Sequence, residues 1–313
     1  MNTDQHEHQQ HQHGDHHRSH GHGQGHGRGH GHGEGNGHGP AAEAALAEML
    51  DLDAEVLHDY LTGAVGLVHG LTAGDPPVRR ILDVGSGTGT GTFALLQRFE
   101  GAEATTLDIS AGMLEHLGNK ARTLGLADRV HPVRADLDAA WPAVGPADLV
   151  WASTSLHHMA DPGRALAEIH AALRPGGLLA VAEFDTLPRF LPEDIGIGRP
   201  GLEERAQALI DAAKAEDVPH LGSDWGALLT GAGFTIEAEE LFTVELTDPL
   251  PAAAGRYAQS TLRRVRDHVA DRLDAQDRAA FAALLDGEGP ESLPHRTDLR
   301  IRARRTVWVA RRP

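Results

Sequence analysis

Between Arg79 and Leu96 the chain reads RRILDVGSGTGTGTFALL. Ile81, Leu82 and Val84 form an apolar run that carries a single acid, Asp83, and gives way to glycines at 85, 87, 89 and 91. Glycines at this spacing remove Cβ atoms where a backbone must turn sharply, and they let a ligand reach its N–H groups. A helix opening near Thr92 would point further free N–H groups at the same ligand. The spacing departs from G-x-G-x-x-G. Asp83 precedes the first glycine by two positions, where a carboxylate would repel a pyrophosphate but suits a ligand that carries an ammonium group.

Other acids and histidines recur at what should be strand ends. Asp108 lies about 20 residues beyond the glycines, where a carboxylate can accept both hydroxyls of a ribose, as in nicotinamide enzymes. It could instead cap the following helix, although Ser110 is better placed for that. Ile109 and Met113 would line an adenine. In VRADLD, Asp136 can accept an adenine amino group, while Leu137 offers a backbone N–H and an apolar wall. In DLVWASTSLHHM, His157 and His158 follow a strand end, and Glu183 and Asp185 follow the next. A histidine–carboxylate pair there could deprotonate an alcohol or phenol. The bland alternative makes His157 a buried structural residue and His158 a rim residue.

The elements that must position these residues alternate. Strands are expected at 80–84, 103–108, 130–134, 147–152 and 178–184, and helices near 90–99, 111–123, 161–173, 201–216 and 224–231. A βαβα order means a parallel sheet with helices on both faces, a doubly wound α/β fold. Further strands are expected at Phe234–Leu246 and Ile301–Val309. Two helices, 41–50 and 54–69, should precede the sheet, with Asp53 as an N-cap. Leu57, Leu61, Val65 and Val68 form an apolar stripe at helical spacing that packs on the sheet. Pro and Gly of LRPGG, Leu173–Gly177, should end a helix. Arg300, Arg302 and Arg304 fall on one strand face, with Leu299, Ile301 and Ala303 on the other; the basic row reads as the solvated face of an edge strand.

The 313 residues contain no cysteine, which excludes disulfides, thiolate metal sites and cysteine nucleophiles. A formal net charge of -17 disfavours nucleic acid or an anionic membrane as the main partner. No apolar run approaches a membrane span, and the N-terminus lacks the apolar core of a secretory signal, so the cytoplasm is the expected location. Residues 1–40 stand apart. Met1–Gly39 holds 12 of the 22 histidines among Gly and Gln. It cannot build a core, reads as a disordered tail, and should bind divalent metal ions loosely through imidazoles.

D-V-G-x-G-x-G at Asp83–Gly89 resembles the first motif of class I S-adenosylmethionine-dependent methyltransferases, in the branch of small-molecule enzymes like those of ubiquinone and menaquinone biosynthesis. Five motifs, this one included, stand in family order over Arg79–Asp185, with a fainter echo in LLTGAGF, Leu228–Phe234. The resemblance implies a Rossmann-like, seven-stranded, mostly parallel sheet with the last strand antiparallel and S-adenosylmethionine as cofactor. Asp83, Gly85, Ser86, Gly87 and Gly89 would hold its amino-acid end, with Ser153 beside the methionine part. Asp108, Ile109 and Met113 would take the ribose and its surroundings, and Asp136 and Leu137 the adenine. Helices ahead of the first strand often cover the cofactor in this family. His157, His158 and Asp185 are the candidate catalytic residues, and no metal is implied. Residues 41–313 would be the catalytic domain, with insertions 186–222 and 249–298 forming a lid over a small-molecule acceptor. Two other functions share parts of the pattern: an NAD(P)-dependent oxidoreductase, which leaves Asp83 and Asp136 unexplained, and a protein or nucleic-acid methyltransferase, which the acidic charge disfavours. A third possibility is a metal-handling protein whose body only binds the cofactor.

Overall fold

The structure, a computed structural model, describes residues 39–313 apart from Asp185 and the side chains of residues 214–216. The histidine-rich tail up to residue 38 lies outside the described residues. Seven strands, β1 (Arg80–Val84), β2 (Glu103–Asp108), β3 (Val130–Arg134), β4 (Ala147–Ser153), β5 (Leu173–Glu183), β6 (Thr235–Leu246) and β7 (Ile301–Arg311), form one sheet in the order β3-β2-β1-β4-β5-β7-β6. Only β7 runs antiparallel to its neighbours. From β1 the chain first builds outward through β2 and β3, then returns to the other side with β4. The crevice at this switch point, beyond the carboxyl ends of β1 and β4, is where an open α/β sheet binds ligands.

The helices are α1 (Pro40–Val56), α2 (His58–Leu71), α3 (Thr90–Arg98), α4 (Ala111–Thr123), α5 (Pro162–Ala172), α6 (Leu202–Asp217), α7 (Trp225–Gly231), α8 (Ala254–His268) and α9 (Ala275–Asp286). Alternation along the strands divides the core. Ile81, Leu149, Ala180 and Val309 face a cluster that includes α1, α2, α3 and α8. Leu82, Val84, Val150 and Val181 face α5 and α7. Burying a Leu or Val side chain contributes about 1.5–3 kcal/mol, so strands covered on both faces anchor the edge that carries the site. The stripe residues Leu57, Val65 and Val68 are buried in the first cluster, with Leu61 packed against it, so they are packing residues.

Three local expectations change. The two leading helices meet at Leu57, so Asp53 lies inside α1 and caps nothing; its carboxylate accepts from the Tyr257 hydroxyl and from Arg305. Helix α5 does end just before LRPGG, at Ala172, but β5 begins at Leu173 rather than at 178. The end of the chain ties it in: Gly176 N–H donates to Arg312 O at 2.8 Å, and Arg312 N–H to Gly177 O at 2.9 Å. Finally, β7 is not an edge strand. It pairs with β5 on one side and β6 on the other. Arg300, Arg302 and Arg304 are exposed as expected, but Arg305 on the opposite face is 4% exposed.

Candidate active site

Asp83 sits on the α3 side of β1 and is 2% exposed. The Thr92 hydroxyl donates to its Oδ2. Burial pushes the Asp83 carboxyl up to about 7; the charge of Asp108 adds to the rise and the Thr92 hydroxyl opposes it. The turn that follows is pinned to β2, since Gly85 and Ser86 N–H groups both donate to Leu107 O at 2.9 Å. Gly89, at φ +79°, occupies the left-handed region and a Cβ there would meet Leu117 Cδ1 at 2.8 Å. Gly91, the extra glycine, lies against the Trp151 indole, so its missing Cβ lets α3 approach the sheet. Ser86 Oγ is buried without a hydrogen-bond partner among the described residues.

Asp108 performs local work as well as facing this cradle. Its Oδ2 accepts from Gly87 N–H and its Oδ1 from Ser110 N–H, each at 2.8 Å. Each oxygen keeps a second lone pair. Burial, with the charge of Glu43, raises the Asp108 carboxyl despite these N–H groups. Ser110 caps α4 by accepting from Met113 N–H at 3.0 Å, and it donates to Glu43 of α1. Nothing in the sequence pointed to Glu43, which reaches the site from 67 positions away. Asp51, further along α1, binds His116 at 2.8 Å and Lys120 at 2.7 Å on α4. These contacts fasten α1 to α4, and Leu50 of the same helix lies against Gly87, so α1 borders the cradle. A cavity of about 370 Å³ lies beside α1, lined by Ala44, Glu48, Asp51 and His116; it is not the cradle.

Ile109 is 55% exposed beside Asp108, whereas Met113 is buried. Asp136 is exposed, and its Oδ1 accepts from Asp138 and Ala139 N–H groups at 3.0 and 3.2 Å, so it closes its own turn. The Leu137 side chain packs into the core on the α5 face, leaving its backbone as the part that could meet a ligand.

At the end of β4, Ser153 is half-buried and Thr154 has φ +50°. A β-branched residue rarely takes that conformation, which costs about 1–3 kcal/mol. The kink lets the Ser155 hydroxyl donate to Val84 O at 2.7 Å and brings Leu156–His158 back onto β5. There His157 Nδ1 meets Glu183 Oε2 at 2.6 Å, and Leu156 N–H donates to Glu183 Oε1 at 3.1 Å. His157 and Glu183 are 4% and 2% exposed. Glu183 is thus the carboxylate that holds His157; Asp185 lies outside the described residues. His158 sits at the exposed rim with its ring 4.1 Å from that of His157. Desolvation by the surrounding protein, with the charges of His157 and Arg264, pushes His158 down to about 4, so its ring is neutral near pH 7.

A buried polar group adjoins this pair. Arg305 is one residue from Thr306, which pairs with Glu183 across β5 and β7. Its guanidinium lies 4.8 Å from the Phe184 ring centre and 3.2 Å from Asp53 Oδ1. Tyr60 of α2 is buried, its hydroxyl has no hydrogen-bond partner among the described residues, and burial pushes it up to about 12. Among the described residues no group of acids and histidines is arranged to hold a metal ion, and no helix is long and apolar enough to cross a membrane.

Residues 81–177 match the methyltransferase domain family. A malonyl-[acyl-carrier protein] O-methyltransferase of Laribacter hongkongensis is 33% identical over 175 residues, covering 54% of this chain and 54% of that protein. A ubiquinone/menaquinone biosynthesis C-methyltransferase of Cereibacter sphaeroides is 37% identical over 112 residues, 36% of this chain and 45% of that protein. The chain spans about half the length of these curated relatives. Among solved structures, a candidate methyltransferase from Bacillus halodurans shares the fold at a TM-score of 0.50 and 16% identity, covering 79% of this chain and 98% of that one.

Proposed function

Through residues 81–177 the chain belongs to the class I S-adenosylmethionine-dependent methyltransferases, and from that premise we propose that it methylates a small-molecule acceptor. The observation that carries the reading is the Gly85–Gly89 cradle between two strand-end carboxylates, Asp83 and Asp108. The residues present suit the cofactor. Asp83 is a buried carboxylate without a cationic partner among the described residues. Ser86 Oγ is unpartnered, and the cradle lacks the Cβ atoms that would fill it. Asp83, Ser86 and Gly87 would hold the amino-acid end, with Ser153 nearby. Asp108 has lone pairs left for the ribose hydroxyls and Ile109 an exposed apolar surface for the adenine; Asp136, Leu137 and Met113 complete the proposed site. When bound, the cofactor supplies an electrophilic methyl group on a sulfonium.

The protein's own part is alignment and proton handling. Glu183 accepts from His157 Nδ1, which leaves Nε2 as the basic nitrogen. We assign His157 as general base, Glu183 as its positioning residue and His158 as a neutral neighbour at the acceptor rim. Segments 186–222 and 249–298 would shape the acceptor pocket. The nicotinamide reading gives way to the methyltransferase family, and the net charge of -17 speaks against nucleic acid as acceptor. We place the activity in the cytoplasm, where the methyl donor is available, and assign loose binding of divalent ions to the tail.

Calorimetry with S-adenosylmethionine tests the site. Asp108→Ala should weaken binding by about 1.5–3 kcal/mol, the range for hydrogen bonds to a charged group. His157→Ala should retain donor binding while lowering methylation of a metabolite extract from labelled donor by about 10²- to 10⁴-fold. Unchanged donor affinity in folded Asp108→Ala would overturn the cofactor assignment.

A further inference from the structure

Two arginines flank the His157–His158 pair, and each keeps hydrogen-bonding capacity that the described residues do not use. Arg305 is the floor. Its hydrogen-bond partners among the described residues are Asp53 Oδ1 at 3.2 Å and the Arg304 carbonyl at 3.1 Å, which take two of its five N–H groups. The contact with Asp53 is single-ended, and the same Asp53 oxygen also accepts the Tyr257 hydroxyl. A guanidinium buried only for structure is best compensated by a bidentate carboxylate. The Tyr60 hydroxyl, buried beside Ser153 but without a well-formed hydrogen bond among the described residues, shares this space, since Arg305 and Glu183 are among the charges that act on it. Arg264 of α8 is at the rim. It is exposed, has no ion pair and no side-chain hydrogen bond among the described residues, and its charge acts on His158. Asp53 and Glu183 hold the buried Arg305 charged, so what it offers a ligand is its unused N–H groups, and Arg264 offers a second guanidinium nearby in a chain of net charge -17.

We propose that Arg305, with the Tyr60 hydroxyl, and Arg264 form an oxyanion-binding site for the acceptor, whose substrate class is therefore a carboxylate, or a phenol or enol that is methylated as its anion. The proposal rests on the reading of the His157 edge as the acceptor site. For a phenol or enol, the O–H proton passes to His157 Nε2 and the electron pair stays on the oxygen that Arg305 and Tyr60 face. A carboxylate needs no such transfer.

The test uses the full chain saturated with S-adenosylhomocysteine and titrated with benzoate, its neutral counterpart benzamide, and 4-nitrophenol, whose anion is yellow. The expected result is benzoate binding about tenfold or more tighter than benzamide, or bound 4-nitrophenol ionising about one pH unit or more below its value in buffer. The first marks a carboxylate acceptor and the second a phenolate or enolate. Arg264→Gln and Arg305→Gln should each reduce the preference about fivefold or more while leaving S-adenosylhomocysteine affinity unchanged. Arg264 is exposed, so its variant tests the idea without threatening the fold. If Arg305→Gln leaves Asp53 uncompensated and unfolds, Asp53→Asn/Arg305→Gln removes both charges together. Wild-type protein that prefers neither anion, or a preference that survives both arginine variants, overturns the proposal. Failure of S-adenosylhomocysteine to bind before any probe is added is a separate result; it overturns the cofactor reading and this proposal with it.

Discussion

Asp83 holds a carboxylate where water is excluded, and its raised value near 7 makes its charge depend on conditions close to neutrality. A cationic ligand favours the ionised form. Donor affinity should therefore rise with pH and level off above about 7, changing by at most tenfold per unit below it, with a proton released on binding in that range. Calorimetry in buffers of different ionisation enthalpy reads both quantities, and Asp83→Asn should flatten the profile. Affinity that does not vary across that range would mean that Asp83 faces no cation. Linkage gives the opposite trend for the ligand-free fold. The folded value lies above the ordinary 3.8, so the folded state binds the extra proton between about 4 and 7. The contribution of Asp83 to stability is complete below about 4 and is lost as pH rises through about 7. His158 acts the other way: its folded value near 4 lies below the ordinary 6.5, so its contribution is present above about 6.5 and is lost as pH falls through about 4.

The turn–helix units convert single residues into site geometry. Ser110 caps α4 while its own N–H holds Asp108, so one residue couples helix stability to the orientation of the proposed ribose carboxylate. Ser110→Ala should cost about 1 kcal/mol, within roughly 0.5–2, by loss of the cap. Gly89→Ala should cost more. The left-handed conformation alone adds about 1–2 kcal/mol for a residue with a Cβ, and the new methyl would press on Leu117. Denaturant midpoints measured on both variants check the order; equal midpoints would show that the turn relaxes. Helix α1 adds a different kind of control. It meets the cradle at Leu50, which lies against Gly87, and is held to α4 by Glu43 on Ser110 and by Asp51 on His116 and Lys120.

At the scale of the molecule, the sheet presents its chemistry along one carboxyl edge, while helices from both ends of the chain close over the α1 side of that edge. The tail of 12 histidines lies outside this architecture in composition, with almost no apolar residues to dock. Deleting residues 1–38 should leave donor affinity and melting temperature unchanged in metal-free buffer while removing most Zn²⁺ or Ni²⁺ binding. A large drop in melting temperature would mean that the tail packs on the body.

Much of the proposed donor side was legible in the residues themselves. Asp83, the glycines and Asp108 announce themselves because their environment is made by a few neighbours in sequence, and β1 and β2 fall where the apolar runs end. Ser110 was readable as a cap for the same reason. The proposed acceptor side was legible only in part: His157 and Glu183 stood among the candidates, but the spacing could not choose them over His158 and Asp185. Asp53 and Arg305 are 252 positions apart, so a residue that looks like a helix cap becomes the partner of a buried guanidinium only when α1 and β7 meet. The choice of Glu183 to hold His157 depends on the Thr154 kink, which no local propensity favours. Arg300, Arg302 and Arg304 had the pattern of an edge strand, but an edge is a property of the sheet, and β6 covers β7. Spacing along the chain decides local conformation and the approach of adjacent groups. Which distant side chains share a desolvated space, and so which charges must compensate one another, is decided only when the strands take their order.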